Sequence, residues 1–452
     1  MVKCRERRQD MLVAIHIKNY KAIVDTTIDM RYGEGKAPNG YQELPRLPFL
    51  QDTAVRNPER PAQPLRVVPV LAIYGQNAGG KSALVEAVRQ ITAFVYNAGF
   101  RTPRLEYKPN KLHPELHTTL FDVQFIIHHA LYRFEVEYNA DGIRREALYK
   151  DGAPLYLVDH VMGDFRFAAI ATADYPEKRL KAVLDTECCN DGRQQVPFIA
   201  KLAYAYMGLS RDVVLCHDYL CRDLQIWLDN DIQTSDALNL LAGNFRENPV
   251  EQAFAEIEEL VTQLDLGIYK MAMAREVEEI EPVQFLGEPY QEGDEPASVF
   301  FRKNQKIFEY IYTYHKRTDG TEERFNLREE SRGTQVLFGL LGVLLNALHR
   351  GTTVVIDELD RSIHPIVLKA LVRLFTDKAY NPNNAQLVFT VHNTELLDDD
   401  DLRVSEVGVV RKNLEQGAQL CRLCDFQGVR NVKNFRLGYL NGYFAGIPFP
   451  AL

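Results

Sequence analysis

Hydrophobic positions change period along the chain, and each change marks a new element. From Met11, the residues Val13, Ile15 and Ile17 alternate with Ala14, His16 and Lys18, the period of two of a half-buried strand. A second strand is expected over Ile23 to Met30, and residues 1 to 10 read as an appendage. Tyr32 to Pro64 holds Pro38, Pro45, Pro48, Pro58, Pro61 and Pro64, whose missing backbone donors predict a long irregular surface excursion. Val70 to Tyr74 is a continuous apolar run, as a strand covered on both faces requires, and Leu84, Val88, Ile91 and Val95 then recur at helical spacing.

Alternation between Thr119 and Tyr149 predicts two paired strands and a third in REALY. The middle, about 151 to 320, reads as mostly helical; within it, Glu276 to Glu295 carries eight carboxylates and no Lys or Arg, most simply a solvated loop. The last third returns to α/β: an apolar strand at Thr352 to Ile356, a helix opening at His364 with Pro365 in its first turn, and a buried strand at Gln386 to Val391. Val407 to Val410 and Leu420 to Leu423 are expected to form a hairpin. No internal repeat and no sustained heptad pattern is present.

At 452 residues the chain is about three times a typical domain, so two or three packed units are expected. The balance of 53 basic against 62 acidic residues gives a net charge of −9, the wrong sign for non-specific coating of nucleic acid, so any polyanion contact must be local. Seven cysteines, odd in number and scattered, predict a reducing compartment. The longest apolar stretch, Val336 to Leu345, is about half a bilayer crossing, and the start lacks an apolar run behind its basic residues. A cytoplasmic chain without membrane contact is expected.

The chemistry begins at Gly75-Gln76-Asn77-Ala78-Gly79-Gly80-Lys81-Ser82, which satisfies G-x-x-x-x-G-K-[ST] between a buried strand and a helix. Glycines let backbone N–H groups turn toward phosphate oxygens, Lys81 adds positive charge, and the Ser82 hydroxyl suits magnesium. Asp357 and Glu358 end the apolar strand VVI: Asp357 suits the magnesium and Glu358 an attacking water. Ser331 and Gly333, in ESRGTQ, precede an apolar helix. They read either as an ordinary cap or as a second anion-binding helix start.

The serine-glycine helix start about 26 residues before the Asp-Glu strand, with His392 ending the next apolar strand, is the layout of ABC-type ATPase heads. LAIYGQNAGGKSAL, ESRGTQVLFGLL, VVIDELDRSIHP, NNAQLVFTVHNTELLD and YLNGYFAGIP resemble the ABC-type, AAA-labelled ATPases of bacterial anti-phage defence, the RloA and AbiL kind, within the wider SMC, RecF and OLD grouping. The resemblance runs over most of the chain from Met11, loosely in the middle. It implies an α/β ABC-type P-loop head, with a mixed central sheet, flanking helices and an antiparallel sheet, in two parts, 11–150 and 320–452, around a mainly helical insertion at 151–319.

By the same resemblance, Gly75 to Ser82 would hold ATP with Mg2+ at Ser82 and Asp357, and Glu358 would be the catalytic base. Ser331 and Gly333 would reach the γ-phosphate held by an opposite subunit, and His392 would sense that phosphate. A homodimer or higher homo-oligomer is implied, controlling a separately encoded effector, a nuclease, in response to nucleic acid or a phage protein. A RecF-like DNA clamp, a transporter subunit and a stand-alone kinase are the alternatives. Gly79, Arg332 and Tyr443 depart from the family's usual Ser, Asp and Arg. Gln124 is the residue offered for the glutamine that couples magnesium to the arm, against a plain sheet position. Cys421 with Cys424, and Cys216, His217 and Cys221, have metal-like spacing but read as core cysteines. Asp398 to Asp401 reads as an acidic turn, and Arg101, Arg104, Tyr107, Lys108 and Lys111 as a solvated basic stretch with nucleic-acid contact as the alternative.

Overall fold

A computed structural model of the chain describes residues 10–32, 51–57, 60–97, 106–206, 208–228, 232, 234–245, 248–264, 267–279, 298–302, 305–398, 402–413, 415, 417–429, 432, 434–444 and 446. They divide into two units: Met1–Leu228 with Gly351–Leu359 and Leu371–Leu452, and Asp229–Arg350 with Asp360–Ala370.

The first unit opens with β1 (Met11–Tyr20) and β2 (Ile23–Asp29), an antiparallel pair. The expected alternation holds only from Ile15 onward, because a bulge between Leu12 and Ala14 shifts the register of β1. An extra residue moves following side chains to the other face. Leu12, Ile15 and Ile17 therefore enter the main core, while Met11 and Val13 pack with Val55, Leu65 and Val67. Those three belong to β3 (Gln51–Asn57) and β4 (Arg60–Val67), an antiparallel pair. This corrects the expectation of irregular chain up to Pro64: apolar residues spaced between the prolines supply a cover for β1. Residues 33–50 of that stretch lie outside the described residues.

β5 (Val70–Gly75) is buried at every position, and α1 (Lys81–Asn97) follows it. β6 (Thr119–Ile127), β7 (Ala130–Asn139), β8 (Gly142–Lys150), β9 (Ala153–Asp159) and β10 (Asp164–Arg166) form a meander beside β1. Then come α2 (Glu177–Val183), the short pair β11 (Cys189–Asn190) and β12 (Arg193–Gln194), α3 (Phe198–Ala205), α4 (Arg211–Asp218) and β13 (Leu224–Trp227). Fully buried Glu146 on β8 caps α3 from a distance: its two oxygens accept from Phe198 N, Ile199 N, Tyr156 Oη and Gln194 Nε2 at 2.8, 2.9, 2.7 and 2.7 Å. Burial raises its carboxyl pKa, and these four donors oppose the rise.

The second unit holds α5 (Thr234–Ala242), α6 (Pro249–Gln263), the antiparallel strands β14 (Lys270–Glu279), β15 (Ser298–Arg302), β16 (Gln305–Lys316) and β17 (Glu322–Asn326), and α7 (Arg332–Arg350). The segment expected to be mainly helical thus carries a four-stranded sheet as well. Aromatic and β-branched alternation in β16, IFEYIYTYH, is the signal behind it. Glu276 to Glu279 lie in β14, and 280–295 of the acidic stretch lie outside the described residues.

α8 (Pro365–Thr376) begins in the second unit and ends in the first, where β18 (Thr353–Ile356), β19 (Gln386–Thr390), β20 (Val407–Asn413), β21 (Gly417–Arg422) and α9 (Phe435–Leu440) lie. The central sheet runs β10-β9-β8-β7-β6-β1-β2-β21-β20-β5-β19-β18-β13. From β20 to β13 it is parallel; β20 and β21 form the expected hairpin. β13 therefore belongs to the sheet although it lies in the segment assigned to the insertion. Buried Gln386 on β19 ties distant strands of this sheet together, bonding Leu12 N and Leu12 O at the bulge at 2.6 and 3.1 Å and accepting from Thr353 Oγ1 at 3.0 Å. Among the described residues, no helix is long and apolar enough to cross a membrane.

Candidate nucleotide-phosphate site

Parallel strands β5, β19 and β18 all deliver their C-terminal ends to one edge of the sheet, where an open α/β sheet leaves room for a ligand. Gln76 to Gly80 leave β5 there as a tight loop: Gly79 N donates to Gln76 O at 3.0 Å, Leu84 N to Gly80 O at 3.2 Å, and Ala78 sits at φ 59°. Gly80 has φ 109°, and a Cβ there would lie 2.5 Å from Ala418 Cβ on β21, so this position needs glycine twice over. The loop leads into α1, whose first-turn N–H groups and positive dipole end favour phosphate.

Lys81, the first residue of α1, is 6% exposed. Its Nζ donates to Gly75 O at 2.8 Å and to Gln76 O at 3.4 Å, which folds the side chain back over its own loop. A cavity of about 490 Å³ is lined by Gln76 to Ala83 together with Glu358 and His392. His392 Nε2 stands 3.6 Å from Glu358 Oε1. Asp357 is 8% exposed; its Oδ1 accepts from Thr390 Oγ1 at 2.5 Å, and among the described residues Oδ2 accepts no hydrogen bond. The Ser82 hydroxyl is exposed and likewise makes none among them. One free carboxylate oxygen and one free hydroxyl are hard oxygen donors of the kind magnesium takes.

Thr390, which no motif singles out, bonds both acids. Wholly buried, it donates to Asp357 Oδ1, its Oγ1 accepts from Glu358 N at 2.7 Å, and its carbonyl accepts from Leu359 N at 3.1 Å. Its signal in the sequence is a single hydroxyl inside the apolar run QLVFTV. Glu358 itself sits at φ 53°, a left-handed backbone that non-glycine residues adopt at a cost. On the far side Asp357 N donates to Trp227 O at 3.0 Å.

Ser331 and Gly333 belong to the second unit. Ser331 Oγ caps α7, accepting from Thr334 N at 3.2 Å, and remains exposed beside exposed Arg332. At Gly333 a Cβ would lie 2.6 Å from Ser362 O, so the helix start runs against the turn after the acid pair. Gln124 lies mid-strand in β6, paired with Ala14 and Arg133, and is not among the residues lining the cavity.

A second cavity of about 490 Å³ adjoins the loop in the first unit, with Lys21, Ala22, Tyr107, Lys108, Lys412 and Gly417 in its wall. Ala22 also lies 3.7 Å from where a Gly80 Cβ would be. Asn19 pins this wall, bonding Asn110 N, Leu116 O and Thr118 O. Burial first, then the Lys108 charge, lowers the Lys21 pKa. Arg101 and Arg104 lie outside the described residues. The cysteine sets form no group of three metal-capable side chains among the described residues. Cys421 Sγ accepts from Arg411 at 2.7 Å, and Cys221 Sγ meets His217 Nε2 at 3.5 Å. Asp398 accepts from Asn434 and Arg436, and 399–401 lie outside the described residues.

Residues 227–398 match the protein family described as "AAA domain, putative AbiEii toxin, Type IV TA system". The match takes in Ser331, Gly333, Asp357, Glu358 and His392 and leaves out the loop from Gly75 to Ser82. No curated protein matches the chain. Among solved structures, the crystal structure of the Smc head bound to the C-winged helix domain of ScpA aligns with 91% of this chain and 96% of its own, at 10% identity and a TM-score of 0.39.

Proposed function

We propose that this chain is an ATP-binding and ATP-hydrolysing switch of the ABC type, acting as a homodimer or higher homo-oligomer. The observation that carries the reading is the single cavity faced by the phosphate loop, Glu358 and His392. Lys81 exchanges its bond to Gly75 O for the terminal phosphates. Ser82 and Asp357 hold magnesium, which neutralises phosphate charge when bound. Glu358 takes a proton from the attacking water, and His392, beside it, contacts the γ-phosphate. The neighbouring lysine-rich cavity gives the base and ribose a place.

Ser331 and Gly333 of a second copy complete the site, so ATP binding closes the pair and hydrolysis reopens it. The output, by resemblance, is anti-phage defence: the ATPase senses a phage protein or nucleic acid and controls a separately encoded effector nuclease. The test is magnesium-dependent ATP hydrolysis by the purified chain as its concentration is raised. Specific activity should climb with concentration and vanish in the Ser331→Arg variant. Activity independent of concentration and of Ser331 would leave a phosphate site without the composite switch.

A further inference from the structure

Three bonds of Thr390 end on one short segment, Asp357 to Leu359. Its hydroxyl hydrogen points to Asp357 Oδ1 (2.5 Å), and its oxygen receives Glu358 N–H (2.7 Å). A hydroxyl has one hydrogen and two lone pairs, so this geometry uses it as a relay between two consecutive acids. Two consequences follow. The bond to Oδ1 fixes the carboxylate plane of Asp357 and leaves Oδ2 as its open oxygen. The bond from Glu358 N–H holds the peptide on which the left-handed φ of 53° depends, and with it the direction of the Glu358 side chain. His392 lies two residues further along the same chain, and Val391 N between them is anchored to Ile73 O on β5 at 3.1 Å.

We infer that Thr390 is a positioning residue: its hydroxyl sets Asp357 for magnesium and Glu358 for water, and ties both to the strand end that carries His392. The inference rests on the nucleotide-site reading above. Groups that orient a metal ligand in this way change metal affinity or activity by about 10–100-fold when removed.

The experiment compares full-length wild type with Thr390→Val and Thr390→Ser. Three quantities are read: affinity for a fluorescent ATP analogue in EDTA, the magnesium concentration at half-maximal hydrolysis, and the magnesium dependence of analogue binding; circular dichroism controls for folding. Thr390→Val should keep its EDTA affinity within about twofold, yet need about 10–100-fold more magnesium in both magnesium-dependent measurements. Thr390→Ser, which keeps the hydroxyl, should stay within a few-fold of wild type. A folded Thr390→Val with wild-type magnesium dependence overturns the positioning role and leaves the site reading intact. Equal defects in Ser and Val variants overturn it too, since the methyl and not the hydroxyl would then matter. A wild type that binds no analogue at all removes the site reading, and the positioning role with it.

Discussion

Adding one methyl group at Gly80 tests whether the loop's shape is set by β21. A Cβ at residue 80 would stand 2.5 Å from Ala418 Cβ, whereas carbon atoms rest about 3.5–4.0 Å apart, so about 1.0–1.5 Å must be recovered. The backbone at φ 109° adds strain of about 1–3 kcal/mol for a residue other than glycine, and the overlap adds about 1–3 kcal/mol. The loop's bonds from Gly79 N to Gln76 O and from Lys81 Nζ to Gly75 O and Gln76 O are internal to it, so it moves as a unit and its amides leave the places proposed for phosphate. The smaller sum, about 2 kcal/mol, already corresponds to about thirtyfold in affinity. Gly80→Ala should therefore bind a fluorescent ATP analogue at least about thirtyfold more weakly. Pairing it with Ala418→Gly removes the overlap but not the strain, so the double variant should recover about tenfold and no more than the overlap's share. Wild-type binding by Gly80→Ala, or a double variant no better than the single one, would show that β21 does not shape the loop.

Lys81→Ala removes charged hydrogen bonds to phosphate worth about 1.5–3 kcal/mol, so calorimetry should find nucleotide binding about 10–150-fold weaker; unchanged affinity would contradict the placement of the amine. Glu358→Gln should bind ATP normally, lose at least about a hundredfold in turnover, and persist as an ATP-bound dimer in size-exclusion chromatography with light scattering. Rapid turnover by that variant would refute the role given to the carboxylate. Away from the site, Glu146→Gln turns one acceptor oxygen into an NH2 that faces two donors, leaving them unpaired at about 1–3 kcal/mol each. Urea unfolding should show a loss of about 2–6 kcal/mol, and a shift below about 0.5 kcal/mol would mean the cap over α3 contributes little.

The elements around the loop were legible because they are long, apolar and locally punctuated. β5, α1, β18, β19 and the β20–β21 hairpin follow from apolar runs and from turn residues such as Gly75 and Gly417, without reference to distant chain. What could not be read depends on partners far away in sequence. The bulge in β1 becomes visible only with β6 laid beside it, and the hairpin β3–β4 exists because Met11, Val13 and Ile126 need a cover that proline content does not reveal. The four-stranded sheet of the second unit was hidden by the charged alternation of β14, MAREVEE, which suits a solvated helix as well as a strand. At the site, motif spacing pointed to Lys81, Ser82, Asp357, Glu358 and His392, and the structure lays Glu358 and His392 along the loop's cavity. Thr390 escaped because a hydroxyl in a buried strand has no spacing rule; only its distances to the two acids identify it.

The chain contains one tryptophan, and it is Trp227. Its carbonyl holds the amide of Asp357, and it lies opposite Ile356 at the sheet edge. The unlabelled protein therefore carries an intrinsic optical probe whose backbone is hydrogen-bonded to Asp357, the acid proposed to hold magnesium. Any adjustment of that acid on loading should alter indole emission without a dye, giving a spectroscopic view of occupancy uncluttered by other indoles.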